Sequence, residues 1–187
     1  MNYNDLKRIL LFKKPSRVIK FREKKIFEMI PELALTKGFE QNNPWHVYDA
    51  YEHILHVVDG VPRDETLRLA ALFHDIGKPF VYTEDENEVG HFYEHWIVSC
   101  RIFLEFAYKY KLDTTLRNNV YNLINFHDFN FYTNESIVRK VIDEIGIENV
   151  HSLYLLKKAD LLAQSSEYHY LLKDLELQEE SIKRLIR

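Results

Sequence analysis

The stretch Leu69-Ala70-Ala71-Leu72-Phe73-His74-Asp75-Ile76-Gly77-Lys78-Pro79 decides how this chain is read. An apolar helical run ends on two adjacent metal-ligating side chains, and a basic residue between two helix breakers follows. An apolar helix has no packing use for neighbouring His and Asp, and burying them unpaired is expensive. A divalent cation satisfies both, because neutral imidazole and carboxylate are standard ligands for Zn, Mn, Fe and Ni. The alternative is purely structural: a helix end where His and Lys complement the dipole and Gly77 terminates the turn. Further His and Asp residues elsewhere in the chain weigh against that alternative.

Outward from this stretch the chain reads as helices. Only 5 Gly and 5 Pro occur in 187 residues, and apolar residues recur at spacings of three and four. The spacing predicts helices over about 4–12, 15–30, 45–58, 65–76, 92–110, 114–126, 137–145, 150–164 and 167–186. Pro31 closes the second, Asp64 caps the fourth, Asn134 caps the seventh and Gly146 ends it. Residues 36–44 read as a connector and 83–89 as an acidic loop. No strand pattern survives comparison with the helical one. The expected fold is all-α, a helical bundle, with residues 1–40 as a short N-terminal helical extension packed on a main domain at 41–187. The hydrophobic fraction of 46% is enough for a sizeable core.

Composition bounds the function classes, and a nucleic-acid partner stays open without being indicated by charge. A net charge of −4 gives no sign of a broad nucleic-acid-coating surface. The single cysteine, Cys100, rules out an internal disulfide and sits on an apolar stripe as a small buried hydrophobe rather than a reactive thiol. We expect no membrane span and no secretory leader, hence a cytoplasmic protein. Oligomeric state is left open.

Several polar residues do not fit a plain bundle. His46, His53 and His56 are spaced to share one helix face. His91 and His95 stand four apart at the start of the long helix, a spacing suited to a metal or a phosphate. His127-Asp128 repeats a His-Asp pair at a helix end, and Asp160 lies among apolar neighbours. Any one of these fits a surface or hydrogen-bonded residue. Four helices each offering a ligand near an inward face point to a metal site built from facing helices.

At this point the motifs carry a resemblance. His53, then His74-Asp75, then Asp160, in that order on helices, resembles the HD-domain metal-dependent phosphohydrolases, and Leu72-Phe73-His74-Asp75-Ile76-Gly77-Lys78-Pro79 matches their signature. The segments Pro31-Glu32-Leu33, Gly38-Phe39-Glu40-Gln41-Asn42-Asn43-Pro44, Tyr48-Asp49-Ala50-Tyr51-Glu52-His53 and Gly90-His91-Phe92-Tyr93-Glu94-His95 are similar to the C-terminal half of bacterial tRNA nucleotidyltransferase and poly(A) polymerase relatives. That likeness runs from about residue 15 to about residue 165. The strand-rich Gly-Ser and paired acids of a nucleotidyltransferase head are not seen, so a stand-alone HD module is expected, without nucleotide addition. The resemblance implies that His53, His74, Asp75 and Asp160 bind a divalent metal ion. It implies that His95 and His127 supply a second ion, with Asp75 bridging, and His91 is the alternative to His95. Lys78 would neutralise phosphate, and Arg139 would be a basic residue facing the site. Asp75, Lys78, His91 and Arg139 are the candidate catalytic set. One departure is Glu94, where the pattern has a glycine.

The chemistry so implied is hydrolysis of a phosphomonoester or phosphodiester of a nucleotide-like substrate by metal-activated water, of the 2′,3′-cyclic phosphodiesterase or nucleotidase type. The N/O ligand set leaves Mn, Fe, Ni, Co, Zn and Mg open, as one ion or two. The expected partner is a small phosphoester or nucleotide. Two other readings stand beside it: a catalytically silent metal- or RNA-binding module, and a protein-interaction bundle with incidental His. Trp45, Tyr48, Tyr82, Phe92 and Phe131 and the acidic Glu84-Asp85-Glu86 either line the pocket or pack.

Overall fold

The computed structural model describes residues 1–129 and 135–185. The apolar run forms α6 (Glu65–Phe73), in which every residue from Leu67 to Phe73 is buried. Asp64 starts it by accepting the Leu67 N–H at 3.0 Å. A helix buried on every side belongs at the centre, even with Arg68 among its buried residues, where Arg68 Nε donates to the Pro62 carbonyl at 2.9 Å. In chain order the other helices are α1 (Tyr3–Leu10), α2 (Pro15–Phe21), α3 (Glu23–Met29), α4 (Pro31–Leu35), α5 (Ala50–Gly60), α7 (His95–Lys109), α8 (Thr114–Phe126), α9 (Glu135–Ile145), α10 (Ile147–Leu162) and α11 (Leu171–Leu185). Helices α1, α5, α7, α8 and α10 all touch α6. The described residues thus form an all-α bundle. None of their helices is long and apolar enough to cross a membrane.

The amphipathic outer helices supply the rest of the core. Leu6 and Leu10 of α1, Ile54 and Val58 of α5, Phe103 of α7 and Ile124 of α8 are all buried. Helix α1 opens with a reciprocal cap: the Asp5 N–H donates to Asn2 Oδ1 and the Asn2 N–H donates to Asp5 Oδ2. Cys100 is buried, and burial pushes its thiol up to about 12.

The structure corrects five of the expected helices. The helix expected over 15–30 bends at Arg22, whose N–H is shared between the Val18 and Ile19 carbonyls. The helix expected from residue 45 begins only at Ala50, because Asp49 is its cap. One Asp49 oxygen accepts the Glu52 N–H at 2.7 Å and the other takes the Gly38 N–H at 2.8 Å. His46 is therefore off the helix, and His56 faces out, stacked on Tyr48.

The long helix expected from residue 92 begins at His95, after Glu94 turns left-handed at φ 61°. His91 is then not one turn before His95 but on a small hairpin, β1 (Thr83–Glu84) paired antiparallel with β2 (Gly90–His91). Asp85 closes that hairpin by accepting the Asn87 and Val89 N–H groups. Gly90 is required there, since a Cβ would stand 2.3 Å from the Gln41 carbonyl oxygen. Finally, α10 starts at Ile147, directly after Gly146 at φ 80°, and α11 starts only at Leu171, after a short 3₁₀ turn at Ser166–Tyr168. Asn134 and Phe131 lie outside the described residues.

Candidate metal centre

Six of the residues singled out from the sequence meet at one point. His53 comes from α5, His74 and Asp75 from the turn ending α6, His95 from the first position of α7, His127 from the end of α8 and Asp160 from α10. His53, His74, Asp75, His95 and His127 are buried, and the Asp160 side chain is 14% exposed. These six form two neighbouring ligand groups, and a third group joins His46 to His53 and Asp75. The ligand atoms of His53, His74 and Asp160 lie within 4.8 Å of one another, as do those of Asp75, His95 and His127.

Asp75 joins the two groups by facing them with different oxygens. Its Oδ2 is 3.2 Å from His53 Nε2 and 3.3 Å from His74 Nε2. Its Oδ1 is 3.0 Å from His95 Nε2 and 3.5 Å from His127 Nε2. Asp160 Oδ1 completes the first group, 3.0 Å from His53 Nε2 and 3.9 Å from His74 Nε2.

The backbone sets which nitrogen of each ring points inward. The Nδ1 of His74, His95 and His127 each lies within 2.9 Å of the carbonyl three residues earlier, that of Ala71, Phe92 and Ile124. A carbonyl only accepts, so Nδ1 carries the proton and donates, and Nε2 keeps its lone pair. His95 Nε2 and His127 Nε2 then face each other at 3.1 Å. Two lone pairs at that distance repel unless a cation or a proton lies between them. His53 Nε2, His74 Nε2 and Asp75 Oδ2 are within ion-pair reach of opposite charges, yet none makes a directed hydrogen bond. Such a set fits a cation, since donors ~2.0–2.2 Å from one ion have about this mutual spacing. The donor set is imidazole and carboxylate without thiolate, which suits Zn, Fe, Mn, Co or Ni.

Electrostatics agree with that geometry. Burial disfavours the charged form of His53, but its contacts with Asp160 and Asp75 outweigh burial and lift it to about 9. His127 is likewise lifted to about 9 against burial, by Asp128 and Asp75. Burial pushes the Asp75 and Asp160 carboxyls up, but the surrounding imidazoles, with Lys78 beside Asp75, hold both below the usual carboxylate range. Without a metal, protons on the histidines balance the carboxylates.

The other expected residues are placed differently. Lys78 is buried at the cluster edge, its Nζ 2.7 Å from Asp75 Oδ2, 2.8 Å from Gln41 Oε1 and 3.1 Å from His46 Nε2. His91 lines the adjoining cleft but is not among the clustered ligands; its Nε2 is 3.2 Å from Asp85 and its ring stacks on Tyr93. Arg139, expected to face the site, sits half-exposed on α9 with its guanidinium on Glu135 of the preceding turn, and it lines neither cavity beside the cluster. Its position in α9 accounts for this: Val138, Val141, Ile142 and Ile145 take the inward face.

Four contributors are not among the site residues expected from the sequence. Lys157 of α10 is buried and donates to the His127 and Phe129 carbonyls at 2.6 and 2.9 Å, tying down the end of α8 that presents His127. Its signal was a lysine three residues before Asp160 on the same helix face. Asp128 is half-exposed, 3.6 Å from His95 Nε2 and 3.7 Å from His127 Nε2. The repeated His-Asp pair announced it, although only His127 was carried forward. Gln41 and Asn43 lie in the connector, where Asn43 Oδ1 accepts from His46 Nδ1 at 2.7 Å and so leaves His46 Nε2 to accept from Lys78. Burial and the Lys78 charge depress His46 to about 2 and keep it neutral.

Beside the cluster opens a cleft of about 400 Å³ whose wall includes Trp45, Phe92, Tyr93 and Trp96. Tyr48 instead stacks on His56, and Tyr82 packs against Phe39 and Phe92. Glu84 holds Asn42 and Tyr82 in the hairpin and does not line the cleft.

The helical bundle and the ordered ligands meet in a match to the HD domain family model over residues 45–165. The chain belongs to the HD domain family. No curated protein matches it. HD domains bind divalent metals and are mostly metal-dependent hydrolases. In this HD domain, the matched span contains all six clustered residues and Lys78, and α1 to α4 lie before it.

Proposed function

We propose that this HD domain is a phosphohydrolase acting on a phosphoester of a nucleotide-like substrate, with His53, His74, Asp75 and Asp160 holding one divalent ion and Asp75, His95 and His127 a second. The observation that carries the proposal is the split Asp75 carboxylate, with a different oxygen 3.0–3.3 Å from imidazoles of each group. Bound divalent ions polarise phosphoryl oxygens and acidify water at neutral pH. The chain supplies the rest. Asp75 sets the spacing of the two groups and orients water where it lines the cleft. Lys78 faces the cleft from beside Asp75, where its ammonium offsets charge that builds on phosphoryl oxygens. The aromatic wall offers faces for a planar ring. His91, on that wall and steadied by Asp85, contacts substrate rather than metal. Arg139 has no part in this proposal. We group the chain with the HD modules of tRNA nucleotidyltransferase and poly(A) polymerase relatives on its connector and hairpin motifs, and place it in the cytoplasm.

The test is to strip the protein with chelator and reload it with Mn, Fe, Ni, Co, Zn or Mg in turn, scoring phosphoester turnover. The expected result is turnover that vanishes with the metal and returns with it. Bound metal with no turnover on any mono- or diester would favour the silent module, and absence of metal binding would end the reading.

A further inference from the structure

The cluster opens on two sides. The 400 Å³ aromatic cleft lies on one, and a second cavity of about 240 Å³ lies on the other, floored by Leu161, Leu171, Leu175 and Gln178. Both cavities have Asp128, Asp160 and Gln164 in their walls, so they meet at the rim of the ligand cluster. Their separation is built in. The Ser165 N–H donates to the Trp45 carbonyl at 2.8 Å, and the Trp45 ring packs on Tyr168 at 4.4 Å. These contacts pin the aromatic cleft to the end of α10, which is the boundary between the two spaces.

We infer that the substrate is an acyclic phosphodiester carrying an organic group on each ester oxygen, a ring-bearing, nucleoside-like group in the aromatic cleft and a smaller alcohol in the second cavity. The inference rests on the phosphohydrolase reading and narrows it. A phosphomonoester or a cyclic mononucleotide has one organic group on its phosphate and fills one side only. The larger cleft falls within the usual range for ligand pockets and the smaller falls below it, which sets the sizes of the two groups. The reaction balances as hydrolysis. A water oxygen bonds to phosphorus, the bond from phosphorus to one ester oxygen breaks, and that oxygen leaves as an alcohol carrying a proton from the water. The other organic group stays on the phosphomonoester product.

The experiment compares three substrates on manganese-loaded full-length protein: the p-nitrophenyl ester of thymidine 5′-phosphate as diester, with thymidine 5′-phosphate and p-nitrophenyl phosphate as monoesters. Leu171→Trp, at a half-buried position, fills the second cavity, and Gln178→Trp is an independent filler should the first fail to fold. The expected result is a diester kcat/KM above both monoester values, with the diester-to-monoester ratio falling about tenfold in either folded filler variant. A monoester preference in the unaltered protein, or a ratio unmoved in both folded fillers, overturns the two-sided substrate while leaving hydrolysis standing. No turnover of any of the three by metal-loaded protein overturns the phosphohydrolase reading beneath it.

Discussion

Asp75 lies between four imidazoles, with Lys78 2.7 Å from one of its oxygens, and the two side chains separate ion binding from charge stabilisation. Asp75→Asn keeps the shape and removes the charge that holds cations, so we expect loss of bound metal as measured by elemental analysis. Lys78→Ala should keep its metal and lose turnover by about 10²–10³-fold, as when one group that stabilises developing charge is deleted. Turnover equal to the unaltered protein would remove Lys78 from the mechanism. His53 and His127 give a pH dependence. Both are raised from 6.5 to about 9, so in metal-free protein they contribute stability that is full below pH 6.5 and lost as pH climbs through 9. A cation competes with those protons for the same nitrogens, so metal affinity should rise over that window and binding should release protons. Calorimetry in buffers of different ionisation enthalpy checks this, and affinity flat from pH 6.5 to 9 would contradict it. His74-Asp75 and His53 were legible because residue type and helical spacing alone make them odd in a core. The clasp of Lys157 on the His127 carbonyl was not, because it joins positions 30 residues apart.

The start of α7 passes directly against the turn that ends α6. The Gly77 N–H donates to Ser99 Oγ at 2.9 Å, and a Cβ at Gly77 would stand 2.4 Å from the His95 carbonyl oxygen. Gly77 has φ −80°, so it is there for close approach and not as the left-handed helix terminator its position suggests. Gly77→Ala should push α7 and His95 away, destabilise the fold by about 1–3 kcal/mol in urea unfolding, and weaken metal binding. Glu94 makes the opposite case. It is exposed and held at φ 61° where a glycine would sit without strain. Glu94→Gly should therefore raise unfolding stability by about 1 kcal/mol, and a loss of stability would mean that the carboxylate is doing something else. Asp64 caps α6 where expected, and α8 spans the expected residues 114–126, with Asp113 as its cap. The errors at residues 45–49 and 92–94 arise where apolar spacing continues past the true helix start. Asp49 capping and a left-handed Glu94 override periodicity there, and the hairpin depends on Gly90 meeting the connector, a contact no local pattern encodes.

Over the whole molecule, α5, α7, α8, α10 and the end of α6 each deliver a side chain to the cluster, so a metal bound there would tie the bundle together. Ions at about 100 times their dissociation constant would add about 2.7 kcal/mol to folding stability. Chelation should accordingly lower the melting temperature, and a melt indifferent to chelator would argue that the cluster binds no ion in the folded state. The bundle was legible from scarce glycine and proline and from the apolar central helix. The side on which each cavity opens was not, because it depends on how α10 and α11 pack beyond the cluster. The proposed hydrolytic metal centre stands or falls with the Asp75 carboxylate. Metal content and phosphoester turnover should be measured on one preparation of Asp75→Ala. Both should be lost together, and full turnover in metal-free Asp75→Ala protein would rule the proposed centre out.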